Sequence, residues 1–194
     1  MPISSFNASF DMSFIEHNRV LQGIEREFTT ADTIAMARFL LLGLNRFKLD
    51  SLEAKILETQ IAACDEGFPQ VAELLEEVYG CVREILGAEV KGVPLGEQTL
   101  MGMNSEELRR VSHHVKEEIG IPHPVPSYGM GRLCVALNAL RTCVRETELA
   151  AVAAFCNGAD CARPDIIQAL NRLSSCVYIM FCRKLAGYYG EGRL

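Results

Sequence analysis

Strand signals are nearly absent from this chain of 194 residues: there is no sustained period-2 alternation and no Asn-Gly hairpin, so a sheet-based architecture has little to build on. No Lys/Arg-rich run occurs, the net charge is −6 and the isoelectric point is about 5.3. That balance argues against nucleic acid and anionic membranes as main partners, so any anion site must be local. Long apolar runs are missing as well; the longest, such as Phe39 to Leu44, fall far short of a bilayer span. Residues 1–14 (MPISSFNASFDMSF) lack a basic n-region and an apolar h-region, which predicts a flexible arm over 1–13 and a cytoplasmic protein. Finally, none of the eight cysteines (Cys64, Cys81, Cys134, Cys143, Cys156, Cys161, Cys176, Cys182) forms a C-x-x-C pair. The nearest spacing is Cys156-x4-Cys161, and small apolar free thiols are the expectation for all eight.

What remains is helical periodicity and an ample core: 49% of residues are hydrophobic, enough for one compact domain, placed over 14–186 with a loose tail over 187–194. Helices are predicted over Ile15–Phe28 and Ile34–Phe47, the second capped from Thr30, and from Ser51 to about Asp65 with Ser51 as cap. Gly67 closes that helix and Pro69 opens the next, which runs to Leu86 and Gly87. A glycine- and proline-bearing loop follows over 90–103. Asn104-Ser105-Glu106-Glu107 then caps a helix to about Glu118. Pro122, Pro124 and Pro126 fix an extended path ahead of two long final helices, about Met130–Phe155 and Pro164–Ala186. Short connections make neighbouring helices antiparallel, as in a bundle.

The first of these final helices carries charge in an unusual place. Arg141, Arg145 and Glu148 stand at i, i+4 and i+7, on one face. The apolar stripe Leu133, Leu137, Leu140, Val144, Ala151 and Phe155 lies roughly 100° round from it, so the charged row borders the core. Two arginines held there in register call for an anion, and a polyphosphate suits them. The plain alternative is a solvated face with charge pairs worth a few tenths of a kcal/mol, roughly the strength of exposed helical pairs. Arg132 reads as a group that pairs near a helix start, His113 and His114 as surface residues, Tyr178 as core, and Glu73, Glu76 and Glu77 as a solvated face.

The segments Gly131-Arg132, Leu137 to Glu148 and Arg163 to Tyr178 together resemble the corrinoid (cobalamin) adenosyltransferases, in the ethanolamine-utilisation branch. The likeness extends upstream through Met101 to Leu108 and Val111-Ser112-His113. It is close in the C-terminal half and only a matter of pattern in the N-terminal half. It implies an all-α, five-helix up-and-down bundle with extra short helices, assembled as a homotrimer with sites at subunit interfaces. The implied reaction transfers the 5′-deoxyadenosyl group of ATP to reduced corrinoid, giving adenosylcobalamin and triphosphate. ATP, Mg²⁺ carried by the ATP, and cobalamin are the implied cofactors and substrates. A flavoprotein reductase and a B12-dependent lyase are the implied partners, with a bacterial microcompartment as an alternative to the open cytoplasm.

By this resemblance Arg141 and Arg145 match the family's nucleotide-side, catalytic arginines, Glu148 the acidic residue after them, and Asn171 and Arg172 the Asn-Arg pair that contacts nucleotide. His123, Val125, Pro126 and Tyr128 fall in the segment that the family turns toward the corrinoid. The chain departs from the family in three places. It has no Thr-Gly-Asp-x-Gly phosphate loop, no upstream Cys-Cys-x-x-Cys motif, and Ser175 where the propanediol-utilisation branch has Asp. The missing cysteine motif argues against a structural transition metal. The missing phosphate loop motivates one rival, a non-catalytic corrinoid carrier; a helical interaction protein of a microcompartment is the other.

Overall fold

The computed structural model describes residues 30–157 and 160–190, with side chains from residue 48 onward. The chain divides into two compact units, 1–44 and 45–194, and the second carries the architecture described here. The arm over 1–13, the helix expected over Ile15–Phe28 and residues 191–194 of the tail lie outside the described residues.

The elements run α1 (Thr30–Asp65), α2 (Pro69–Lys91), α3 (Ser105–His113), α4 (Val115–Glu118), a 3-10 turn (Tyr128–Met130), α5 (Arg132–Phe155), β1 (Cys156–Asn157), β2 (Asp160–Cys161) and α6 (Pro164–Leu185). The class is all-α, with one two-residue strand pair. Each long helix buries residues at turn spacing: Leu49, Leu52 and Ile56 on α1; Val71, Leu75, Val78, Val82 and Ile85 on α2; Ile166, Leu170, Leu173 and Val177 on α6. These faces, with the α5 stripe of Leu133, Leu137, Leu140, Val144 and Ala151, form one core. Each fully buried Leu, Ile or Val side chain contributes about 1.5–3 kcal/mol. α6 packs along α5 and also meets α2 and α3, so the last helix is the hub of the bundle. Among the described residues, no helix is long and apolar enough to cross a membrane.

Several predicted boundaries move. Ser51 is not a cap but lies inside α1, which is continuous from Thr30 to Asp65. Residues 47–51 contain no Gly or Pro, and Leu49 and Leu52 continue one buried face through them. Gly87 does not end α2 either. Buried Ala88 continues the face of Ile85, and the helix stops four residues later at Gly92, whose φ of +64° suits a residue without Cβ. The capping box at Asn104 forms as predicted: its side chain accepts from Glu106 and Glu107 N–H, and the Glu107 carboxylate accepts from Asn104 N–H. The helix that follows breaks at His114, giving α3 and the short α4.

The cysteine expectation is corrected at one pair. Cys156 and Cys161 form a disulfide, because the two short antiparallel strands set them directly opposite with their Cα atoms 4.1 Å apart. The other six are free. Burial pushes the Cys81 thiol up to about 12 and that of Cys182 to about 11, which leaves them unreactive near pH 7.

Charged side chains pin the segments that flank the two final helices. Glu66 Oε1 accepts from Leu133 N–H at 3.1 Å, and Arg132 pairs with Asp65 at 2.8 Å. The end of α1 thereby caps the start of α5, where Gly131 provides no side chain of its own. At α6, the Asp165 carboxylate takes Leu95 N–H at 2.8 Å and pairs with Arg163 at 2.9 Å. Arg163 in turn donates to Val93 O, so the loop over 92–103 is tied to the α6 N-terminus. Glu77, exposed as expected, also serves this loop by accepting from Met101 N–H.

Two outcomes follow. The Arg163 hydrogen bond, working against a desolvation cost, holds the Asp165 carboxyl at about 2, below its ordinary 3.8. A depressed carboxylate stabilises the fold above its unfolded value and loses that contribution as pH falls through its folded value. Asp165→Asn should therefore lower urea stability by about 1–2 kcal/mol at pH 7, with the gap to wild type closing between about pH 4 and pH 2. Glu66→Ala should lower the thermal midpoint by an amount equivalent to about 1 kcal/mol, read by calorimetry, through loss of the α5 cap.

Candidate functional site

The C-terminal turns of α3, the proline loop, α5 and α6 enclose an open cleft of about 430 Å³. α5 contributes Asn138, Arg141 and Arg145, at i, i+3 and i+7. α6 contributes Asn171, Ser174, Ser175, Tyr178 and Phe181, at nearly the same spacing. Two antiparallel helices with matched polar rows produce a groove lined on both sides. Ser112, His113, His123, Pro124 and Pro126 complete its lining.

Glu148 lies at the base of this arrangement, 8% exposed. One carboxylate oxygen takes Arg145 at 2.5 Å and the other takes the Asn171 side-chain amide at 2.8 Å. The Asn171 carbonyl oxygen accepts from Arg172 at 2.6 Å, which fixes which end of the amide faces Glu148. A relay of Arg145, Glu148, Asn171 and Arg172 therefore crosses from α5 to α6. Each member satisfies the next, as a buried carboxylate requires.

Arg141 is held differently. Its guanidinium lies over the Tyr178 ring, 4.5 Å from the centroid, and it has no ion pair among the described residues. Its Nε is buried without a hydrogen-bond partner among the described residues. A guanidinium charge that faces a polar cleft uncompensated is what an anionic ligand would meet. The Tyr178 hydroxyl contacts His123 Nδ1 at 2.7 Å, and burial pushes its phenol up to about 12.

Of the residues singled out in the sequence, the structure brings His123, Pro126, Arg141, Arg145 and Asn171 to the cleft, with Glu148 behind the last two. Arg172 lies elsewhere: it lines a separate cavity of about 280 Å³ beside Leu100, Ser105 and Gln168, and donates to Ser105 O at 3.4 Å. Adjacent helical residues point about 100° apart, so turning Asn171 into the cleft turns Arg172 out of it. Burial lowers the Arg172 pKa there, a sign of costly placement. Val125 and Tyr128, 81% and 95% exposed, are outside the lining.

Asn138, Ser112 and Phe181 were not anticipated, and Tyr178, expected in the core, packs against it partly buried and also lines the cleft. A signal was present: Asn138 shares the Arg141/Arg145 row, and Tyr178 is two turns from Asn171 on the same face. His113 and His114 are exposed as expected, with His113 at the cleft edge. Among the described residues, no group of three or more His, Cys, Asp or Glu side chains could hold a metal ion.

The sequence model of the cobalamin adenosyltransferase family matches residues 45–184. The corrinoid adenosyltransferase EutT of Escherichia coli (strain K12) is 40% identical over 136 residues, which cover 70% of this chain and 49% of that protein. The corrinoid adenosyltransferase EutT of Salmonella typhimurium (strain LT2) is 37% identical over 142 residues, covering 73% and 52%. The chain thus spans about half the length of the curated relatives it matches. No solved structure matches it. With the family's segments folded around a two-arginine cleft, the chain belongs to the cobalamin adenosyltransferase family.

Proposed function

We propose that this chain transfers the 5′-deoxyadenosyl group of ATP to reduced corrinoid, giving adenosylcobalamin and triphosphate for ethanolamine utilisation. The observation that supports this most strongly is the pair Arg141 and Arg145 in one cleft with Asn171, Ser174 and Ser175, on the segments that match the family.

The chemistry is a substitution at carbon. The electron pair of Co(I) forms the Co–C5′ bond, the C5′–O bond breaks, and its electrons leave with triphosphate. Negative charge grows on the leaving oxygen, so guanidinium groups placed at the phosphate tail favour the transition state over the ground state. Arg141, which has no carboxylate partner among the described residues, supplies the larger net charge. Arg145, already paired with Glu148, supplies directed donors. Asn171 and the two serines offer neutral donors and acceptors for ribose or base. Among the described residues the cleft lining offers neutral oxygens from Asn138, Asn171 and the serines but no carboxylate, so any Mg²⁺ there would be held chiefly by the phosphates that bring it. When bound, that ion would offset phosphate charge.

Phe181 and the prolines Pro124 and Pro126 add apolar surface to the same lining, beside His123. Excluding water and the lower axial ligand from cobalt makes Co(II) easier to reduce. The same reading extends to a five-helix bundle assembled as a homotrimer, a flavoprotein reductase as electron donor, and a B12-dependent lyase as consumer of the product. Its setting is the cytoplasm or a microcompartment within it.

Mixing the purified chain with MgATP and chemically reduced cobalamin should produce the visible spectrum of adenosylcobalamin and release triphosphate. Arg141→Ala and Arg145→Ala should each lower kcat/KM by about 10²–10³ while leaving the helical circular dichroism unchanged. Turnover near wild type in both variants moves the site elsewhere. Cobalamin binding without any MgATP binding supports a carrier instead.

A further inference from the structure

Arg141 and Arg145 stand one turn apart on α5, yet they are held by opposite means. Arg145 is fixed by a carboxylate, which also cancels much of its charge. Arg141 is fixed by an aromatic face, which attracts a cation without neutralising it. The ring that does this belongs to Tyr178 on α6, and the same side chain reaches in the other direction. Its hydroxyl meets His123 Nδ1, and the two rings lie 10° from parallel with centroids 6.0 Å apart. Phe181 packs against Tyr178 with ring centroids 6.4 Å apart. The proline loop that carries His123 has no regular backbone pairing over 122–126, so this contact gives it a fixed point on the bundle.

The geometry points to Tyr178 as the positioning residue of the cleft: its ring sets Arg141 toward the phosphate tail, and its hydroxyl holds His123 and the proline loop at the corrinoid end. This rests on the adenosyl-transfer reading above. The two functions of the side chain are separable by substitution, because phenylalanine keeps the ring and loses the hydroxyl, whereas leucine loses both.

Titration of the whole chain with MgATP by calorimetry, alongside steady-state kinetics with reduced cobalamin, tests the assignment. Tyr178→Phe should bind MgATP as wild type does and raise KM for reduced cobalamin about two- to tenfold, the loss of one neutral hydrogen bond. Tyr178→Leu should weaken MgATP binding about five- to thirtyfold, with no further weakening when combined with Arg141→Ala. A folded Tyr178→Leu that binds MgATP like wild type, or whose effect adds in full to that of Arg141→Ala, overturns the proposal. So does Tyr178→Phe with an unchanged KM for reduced cobalamin, for the hydroxyl half.

A ligand-free readout separates this proposal from the functional reading. Arg141 side-chain protons, assigned by comparison with Arg141→Lys, should be shifted upfield by the ring current in wild type and in Tyr178→Phe. Absence of that shift overturns the proposal even where Tyr178→Leu fails to fold. A wild-type chain that shows the shift but binds no MgATP overturns the nucleotide reading, and with it the phosphate role of Tyr178, while leaving the Arg141–Tyr178 contact standing.

Discussion

The Glu148 carboxylate occupies a place where an unpaired charge would be costly, on the seam between the two helices that line the cleft. Both of its oxygens are used, one by Arg145 of its own helix and one by Asn171 of the neighbour. Removing either partner would leave part of a buried carboxylate unsatisfied, so the three side chains constrain one another's rotamers. The buried apolar stripes of α5 and α6 set which face of each helix looks into the cleft, and the Glu148–Asn171 hydrogen bond ties the two rows together there.

Once the rows are in register, charge is distributed unequally along the groove. Arg145 is balanced by Glu148, whereas Arg141 lies on the Tyr178 ring with no ion pair among the described residues, next to His123, and Pro124, Pro126 and Phe181 add apolar surface to the lining. On the proposed reading, the unneutralised guanidinium serves the polyphosphate and the apolar lining serves the macrocycle. The supporting shell is equally ordered. Glu66 caps the start of α5 and Asp165 ties the 92–103 loop to the start of α6, so both helices are anchored at the end from which they enter the bundle.

Much of this was legible in the residues. The helical class, the capping box at Asn104, Gly67 and Pro69 at the first tight turn, and the charged row bordering the α5 core all come from period and local chemistry. What was not legible depends on partners distant in sequence. Ser51 has the chemistry of a cap, but Leu49 and Leu52 are buried on one continuous face, and tertiary packing overrides the local signal. Cys156 and Cys161 read as isolated thiols until two short strands place them opposite each other. Asn171 and Arg172 read as one motif, although adjacent helical residues face different cavities. Tyr178 read as core because its period is that of a packed residue; nothing local could reveal Arg141 on one side of it and His123 on the other.

The central claim is that Arg141 and Arg145 grip a nucleotide's phosphates within this cleft. A crystal structure of the chain soaked with MgATP tests it most directly. The account predicts triphosphate oxygens within about 3.2 Å of both guanidinium groups, with Arg141 still stacked on Tyr178. Nucleotide bound outside the cleft, with both arginines holding only their protein partners, would contradict it.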